Sequence, residues 1–222
     1  MNVSSLLRKT RGREVSRAVV ESPPGRSNLD LSAMEIITAA PVWMTHAERL
    51  LLFTLTFTLR PSRYVEIGTL HGGSALIVCS AMDALDGDGR MACVDPRPQV
   101  SAENWEKLAH RATMITGFSP DVLPQARAAV GGDFDLILID GDHTRDGVIR
   151  DAEGILPFAA KGAKILFHDC HNADVREGID EFVGQHRRRL LDSGPMTREA
   201  LVQTCDDGTQ VNWGGLRMVE VR

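Results

Sequence analysis

The sequence predicts an α/β fold: a doubly wound, mostly parallel sheet between two layers of helices, a three-layer αβα arrangement. Three observations carry the prediction. From "RYVEIG" onward, short apolar segments alternate with helical segments, the pattern of parallel strands joined by crossover helices. The stretch "DFDLILID" is a nearly continuous apolar run, as needed when both faces of a sheet are covered. Nearly every unusual residue falls just after a strand, where ligands bind in such sheets.

Two helices precede the alternation, "LDLSAMEIITAA" and "THAERLLLFTLTFTL". Thr45 is the N-cap of the second, and Glu48 three residues on completes a capping box. Pro61 stops that helix. "RYVEIG" is the first strand and "SALIVCSAMDAL" a helix; "GDGRMACVDP" gives a turn and the second strand, and "SAENWEKLAHR" a helix. "ATMITG" is the third strand. "SPDVLPQARAAV" reads as a helix opening at Ser119-Pro120, a cap followed by proline. "DFDLILID" is the fourth strand, "RDGVIRDAEGILPFA" a helix, "GAKILFHD" the fifth strand and "ADVREGIDEFVGQHR" a helix. "RRLLDSG" is a sixth strand, and "VNWGGLRMVEV" a last one, bent or bulged at Trp213-Gly214-Gly215. No helical pattern separates these two, so they form an antiparallel pair at one edge. Trp43 and Trp105 are read as packing residues.

The chain has 222 residues, 43% hydrophobic and 25% charged, with a formal net charge of -5. That is the composition of a globular protein with a sizeable core, and its sign argues against nonspecific binding to nucleic acid or an anionic membrane. Cys79, Cys93, Cys170 and Cys205 show no CxxC spacing. They form neither a zinc ribbon nor a disulfide framework, which suits a reducing cytoplasm. Residues 1–27 read as a flexible basic arm, "SSLLRKTRGREVSR", and a linker, "ESPPGRSN". Residues 28–222 form one domain, with cap helices over 28–60. The apolar run "LLLFTLTFTL" is too short to span a bilayer; the helix around Leu50 to Leu59 is instead a candidate face for a homo-oligomer.

The first strand-to-helix turn reads ExGxxxGGS, from Glu66 through Gly68, Gly72 and Gly73 to Ser74. Glycines there allow a tight reversal and let a ligand approach the backbone, at a helix N-terminus suited to a carboxylate or phosphate. The spacing is wider than a dinucleotide fingerprint, and Glu66 would repel a phosphate. Asp95 ends the second strand, where an acid accepts the hydroxyls of a ribose. Gly117 and Ser119 follow the third strand, bordering a base or capping a helix. The densest signal is "IDGDHT" with "FHDCHN". Asp140 and Asp169 are oxygen ligands for Mg²⁺, and His168 as a further ligand would shift preference toward Mn²⁺ or Fe²⁺. The bland alternative is a hydrogen-bonded polar cluster. His143 is placed to remove a proton near neutral pH.

Together these residues resemble the class I S-adenosylmethionine-dependent methyltransferases, and most nearly the small metal-dependent O-methyltransferases of catechol, caffeoyl-CoA and antibiotic-sugar types. The resemblance runs from about Met44 onward and rests on "VEIGTLHGGSAL", "CVDP", "GFSPDVL", the IDGDH stretch and the strand ending in Asp169. It implies a Rossmann-like, seven-stranded sheet with the last strand antiparallel. It also implies S-adenosyl-L-methionine as cofactor and a small-molecule hydroxyl (sugar, polyketide or phenolic) as acceptor. The methionine moiety would lie over Gly68, Thr69 and Gly72, with its carboxylate near Gly73 and Ser74. Glu66 is counted with this group, Asp95 would hold the ribose, Gly117 and Ser119 the adenine, and Asp140 both metal and amine. A lysine, or in antibiotic-sugar relatives a histidine, acts as base three positions after the matching aspartate; here that position is His143. Two residues depart from the pattern: Cys170 stands where catechol-type enzymes have asparagine, and His168 where sugar-type enzymes have an acid. His171 could substitute as a ligand.

Three rival functions remain. A metal-dependent hydrolase or phosphoesterase would use Asp140, Asp142, His143, His168, Asp169 and His171 but leave the glycine turn and Asp95 without a task. A non-catalytic cofactor-binding protein would bind cofactor without metal. A nicotinamide-dependent dehydrogenase fits the glycine spacing worst.

Overall fold

The computed structural model describes residues 31–85 and 87–222; the basic arm and linker lie outside the described residues. A 3₁₀ turn, Leu31–Glu35, leads into α1 (Ile36–Ala39), and α2 is His46–Leu59. The alternating part runs β1 (Arg63–Ile67), α3 (Gly73–Asp83), β2 (Arg90–Asp95), α4 (Ala102–Leu108), β3 (Ala112–Thr116), α5 (Leu123–Val130), β4 (Phe134–Ile139), α6 (Arg145–Ile155), β5 (Ala159–Phe167) and α7 (Ala173–Gln185). It closes with β6 (Leu190–Pro195), β7 (Leu201–Thr204), β8 (Gln210–Trp213) and β9 (Arg217–Val221).

Seven strands form one sheet in the order β3-β2-β1-β4-β5-β9-β6. β9 is antiparallel to both neighbours and the other pairings are parallel. The chain turns back on itself between β3 and β4, so strand order reverses beside β1, where a crevice opens at the strand ends. Register aligns those ends: Ile67 pairs with Val94 and Ile139, and Ile139 with Phe167. The residues that follow, Gly68, Asp95, Asp140 and His168, therefore emerge side by side.

β4 shows why the sheet is buried on both faces. Ile137 and Ile139 pack with α5, α6 and α7, while Leu136 and Leu138 pack with α2 and α3. This is the period-two alternation of a strand with two apolar sides. α3 is buried nearly all round because α2 covers its outer face; a helix apolar on all sides needs such a second cover. Among the described residues, no helix is long and apolar enough to cross a membrane.

Four expectations need correction. The first N-terminal helix is a 3₁₀ turn plus one turn of α-helix. α5 begins at Leu123, with Pro124 in its first turn; Ser119-Pro120 is a cis peptide in the preceding loop. Pro120 instead packs against α6, where a Cβ on Gly154 would come within 2.4 Å of its ring. The closing segment is two strands: β8 pairs with β7 as a separate hairpin, and Gly214 (φ +85°) and Gly215 (φ +90°) bend the chain into β9. Trp43 is not packed but 78% exposed, whereas Trp105 does pack against the core.

Candidate active site

The aligned strand ends and the segment Pro41–Trp43 enclose a cavity of about 460 Å³, of a size that holds a cofactor. Gly68, Thr69, Gly73, Ser74, Asp95, Gly117, Ser119, Asp140, His143, His168 and Asp169 all line it. Glu66 and Gly72, grouped with them in the sequence, stand just behind the lining. Glu66 is fully buried behind the turn, where its Oε2 accepts from Tyr64 Oη and Ser74 Oγ, both at 3.0 Å. Burial pushes its pKa up to about 7. Gly72 (φ +78°) backs onto Val100.

The glycines of the turn serve the chain's own backbone. At Gly68 (φ +93°) a Cβ would sit 1.9 Å from the Asp140 carbonyl oxygen. At Gly73 it would meet the Pro41 carbonyl at 2.5 Å and Val42 Cβ at 2.7 Å. Gly68 thus allows β1 and β4 to deliver their ends together, and Gly73 seats Pro41–Trp43 over the start of α3. Five carbonyls on and beside that strap accept from Arg49: Met44 from Nε at 2.9 Å, Ile37, Thr38 and Ala40 from Nη1 at 3.2, 3.5 and 3.1 Å, and Val42 from Nη2 at 2.6 Å. Asp95 is fixed by backbone amides, accepting from Leu70 N at 2.8 Å and Arg97 N at 2.6 Å.

At the other end, ligating atoms of Asp140, His143, His168 and Asp169 lie within 4.8 Å of one another. His143 Nε2 is 3.0 Å from Asp169 Oδ2 and 3.4 Å from Asp140 Oδ1. His168 Nδ1 is 2.9 Å from Asp140 Oδ1 and 3.3 Å from Asp169 Oδ2. Its Nε2 faces Glu48 Oε1 at 3.6 Å. Burial raises the pKa of Asp140, but the His168 charge and hydrogen bonds from both histidines outweigh it and hold the carboxyl low. Burial is likewise outweighed at Asp169, by hydrogen bonds from His143 and His168. Hydrogen bonds to Asp140 and Asp169 raise His143 to about 9. For His168, attraction to Asp140 overcomes the effect of burial and raises the pKa well above its usual value.

Two carboxylates and two imidazoles this close fit a divalent metal, and the imidazoles favour Mn²⁺ or Fe²⁺ over Mg²⁺. His171 stands outside the cluster, packed on Gly215. Asp142 accepts from Thr144 N, the N-cap residue of α6, at 3.0 Å and pairs with Arg150 at 3.2 Å. Asn172 caps α7.

Some site residues escaped the sequence reading. Glu48, taken only as half of a capping box, is fully buried and also accepts from Gly215 N. Gly214 N donates to Asp169 Oδ1 in the same way, so the glycine pair bracing both acids was the available signal. Trp213 stands edge-on to the His143 ring at 5.5 Å, and Trp43 edge-on to His71 at 6.2 Å. Asp151, buried in α6, also lines the cavity.

Residues 65–170 match the family described as a methyltransferase domain. Among solved structures, the O-methyltransferase TomG of Streptomyces achromogenes, in complex with SAM, is similar at 17% identity and a TM-score of 0.60, over 87% of this chain and 91% of that one. An O-methyltransferase of Bacillus cereus in complex with SAH gives 21% identity and a TM-score of 0.59, over 94% and 95%. The SAH-bound methyltransferase PaMTH1 of Podospora anserina gives 18% and 0.55, over 89% of each chain. At these identities the likeness is one of fold. Among curated proteins, none matches the sequence.

Proposed function

We propose that this chain, whose residues 65–170 match a methyltransferase domain and whose fold is that of solved O-methyltransferases, is an S-adenosylmethionine-dependent methyltransferase that methylates a hydroxyl of a small molecule with the help of a divalent metal. One observation carries the reading. A single cavity joins an acid suited to a ribose, Asp95, to a four-donor cluster on the neighbouring strand ends.

The cofactor would supply an electrophilic methyl group on a sulfonium, and a metal on Asp140, Asp169 and His168 would supply positive charge to orient the acceptor oxygens. The chain's own residues do the rest. Gly68, Thr69, Gly73 and Ser74 bound the methionine end, and Asp95 the ribose. His143 Nε2 takes the acceptor proton. The oxygen left by that proton would receive the methyl group the bound cofactor supplies, the C–S bonding pair staying with sulfur. To act as a base, His143 must first release the proton that Asp140 and Asp169 hold on it. Trp213 flanks this end, and positioning in a water-poor crevice provides most of the acceleration. Buried Cys79, Cys93 and Cys170 are free thiols, in keeping with a cytoplasmic enzyme.

Calorimetric titration with S-adenosylhomocysteine and NAD⁺, with Mg²⁺, Mn²⁺ or neither, tests the reading. Micromolar binding of the first alone (about 8 kcal/mol) is expected, with Mn²⁺ bound more tightly than Mg²⁺ if His168 ligates. Metal uptake without nucleoside binding would sink the proposal.

A further inference from the structure

A second cluster of metal-ligating side chains lies away from the active site, where α3 ends against the turn between α4 and β3. Its members are Cys79, Asp83 and His110, whose ligating atoms all lie within 4.8 Å of one another. Cys79 and Asp83 are four residues apart on α3, so they share one face of that helix. His110 follows α4 and reaches the same face. At 1.5 Å per residue, Asp83 stands about 15 Å along α3 from Gly73 and the glycine turn. The C-terminal end of α3 adds the negative end of its dipole, which favours a cation.

The three atoms form a triangle of the right size. Cys79 Sγ is 3.8 Å from Asp83 Oδ2 and 3.9 Å from His110 Nε2, and Nε2 is 3.2 Å from Oδ2. An ion held tetrahedrally at about 2.3 Å from sulfur and about 2.0 Å from nitrogen and oxygen spaces these ligands by about 3.3–3.6 Å. Arg111 orients the carboxylate from behind. Its Nε donates to Asp83 Oδ1, while its Nη1 donates to the carbonyls of Gly87 and Gly89 at 2.6 and 3.1 Å. Oδ2 is thereby left toward the sulfur and the imidazole, as a group behind a metal ligand fixes it.

We propose that Cys79, Asp83 and His110 hold a zinc ion, with water as the fourth ligand, that clips the end of α3 to the turn before β3. A thiolate beside an imidazole selects Zn²⁺ over Mg²⁺ or Mn²⁺, and the sulfur sets this site apart from the Asp140 cluster, which has none. Thiolate and carboxylate together cancel the charge of the ion, so Arg111 faces a neutral site. Burial and the Asp83 charge push the Cys79 thiol up to about 12; the ion displaces that proton to solvent as the sulfur–metal bond forms. The site stands independently of the methyltransferase reading.

The experiment titrates the full chain, reduced and freed of metal by a chelator, with Co²⁺ as the probe. The wild type should develop a thiolate-to-Co²⁺ charge-transfer band that Zn²⁺ then abolishes. Cys79→Ser should lose the band, and Asp140→Asn should keep it. His110→Ala, at a half-exposed position, should weaken Co²⁺ binding read at this band by about tenfold or more. It decides the matter alone if Cys79→Ser fails to fold. No band in the wild type, a band that persists in Cys79→Ser, or unchanged affinity in His110→Ala overturns the proposal. So does loss of the band in folded Asp140→Asn, which would place the ion in the other cluster.

Discussion

At Gly68 an added methyl group would land on a carbonyl oxygen rather than in open space. Gly68→Ala should cost about 3 kcal/mol or more, combining positive φ with overpacking, read as a lower urea midpoint at unchanged slope. The sequence pointed to this glycine but not to its task. A tight glycine turn looks the same whether a ligand or the chain's own backbone comes close. His143 makes a second residue-scale prediction. Its folded pKa of about 9 lies above the ordinary histidine value. In metal-free protein its contribution to stability is therefore full below about pH 6.5 and lost as pH rises through about 9. Asp140 and Asp169, held low, lose theirs as pH falls below the usual carboxylate range. Urea midpoints from pH 6 to 10 should decline for the wild type more than for His143→Gln; parallel curves would contradict the assignment. Asp151 and Glu48 were illegible as cavity and bracing residues because an acid within a helix reads as a solvated face. Their burial depends on Ser119 and Gly215, which are distant in sequence.

Among elements, the strap over α3 depends on one side chain. Arg49→Ala strips five carbonyls of their donor, and Arg49→Lys cannot replace the fork. Both should weaken S-adenosylhomocysteine binding by about tenfold through lost preorganisation, and should admit protease near residues 37–44. Resistance to cleavage with unchanged affinity would show the strap to be held by other means. The regular strands and helices were legible because burial on two faces leaves long apolar runs. The β7–β8 hairpin was not: all four residues of β7 are exposed, so no alternation marks it. The start of α5 was misread because Ser119-Pro120 carries a helix-opening signature in a loop that packing against Gly154 shapes differently.

For the whole molecule, a cofactor that bridges the ends of β2, β1 and β4 should raise global stability. At a hundredfold excess over Kd the gain is about 2.7 kcal/mol, or about 5–10 °C in Tm for a chain of this size. A scan with S-adenosylhomocysteine checks it, and NAD⁺ should leave Tm unchanged.

The braces from Gly214 and Gly215 to Asp169 and Glu48 have a consequence for biosynthesis. One spans 45 residues of chain and the other 167. During vectorial synthesis both acids emerge before the glycine pair, so neither can have its amide donor until that pair leaves the ribosome and β9 enters between β5 and β6. Contacts of such long range form late. Arrested nascent chains that stop short of Gly214 should hold a partial sheet but no finished Asp/His cluster.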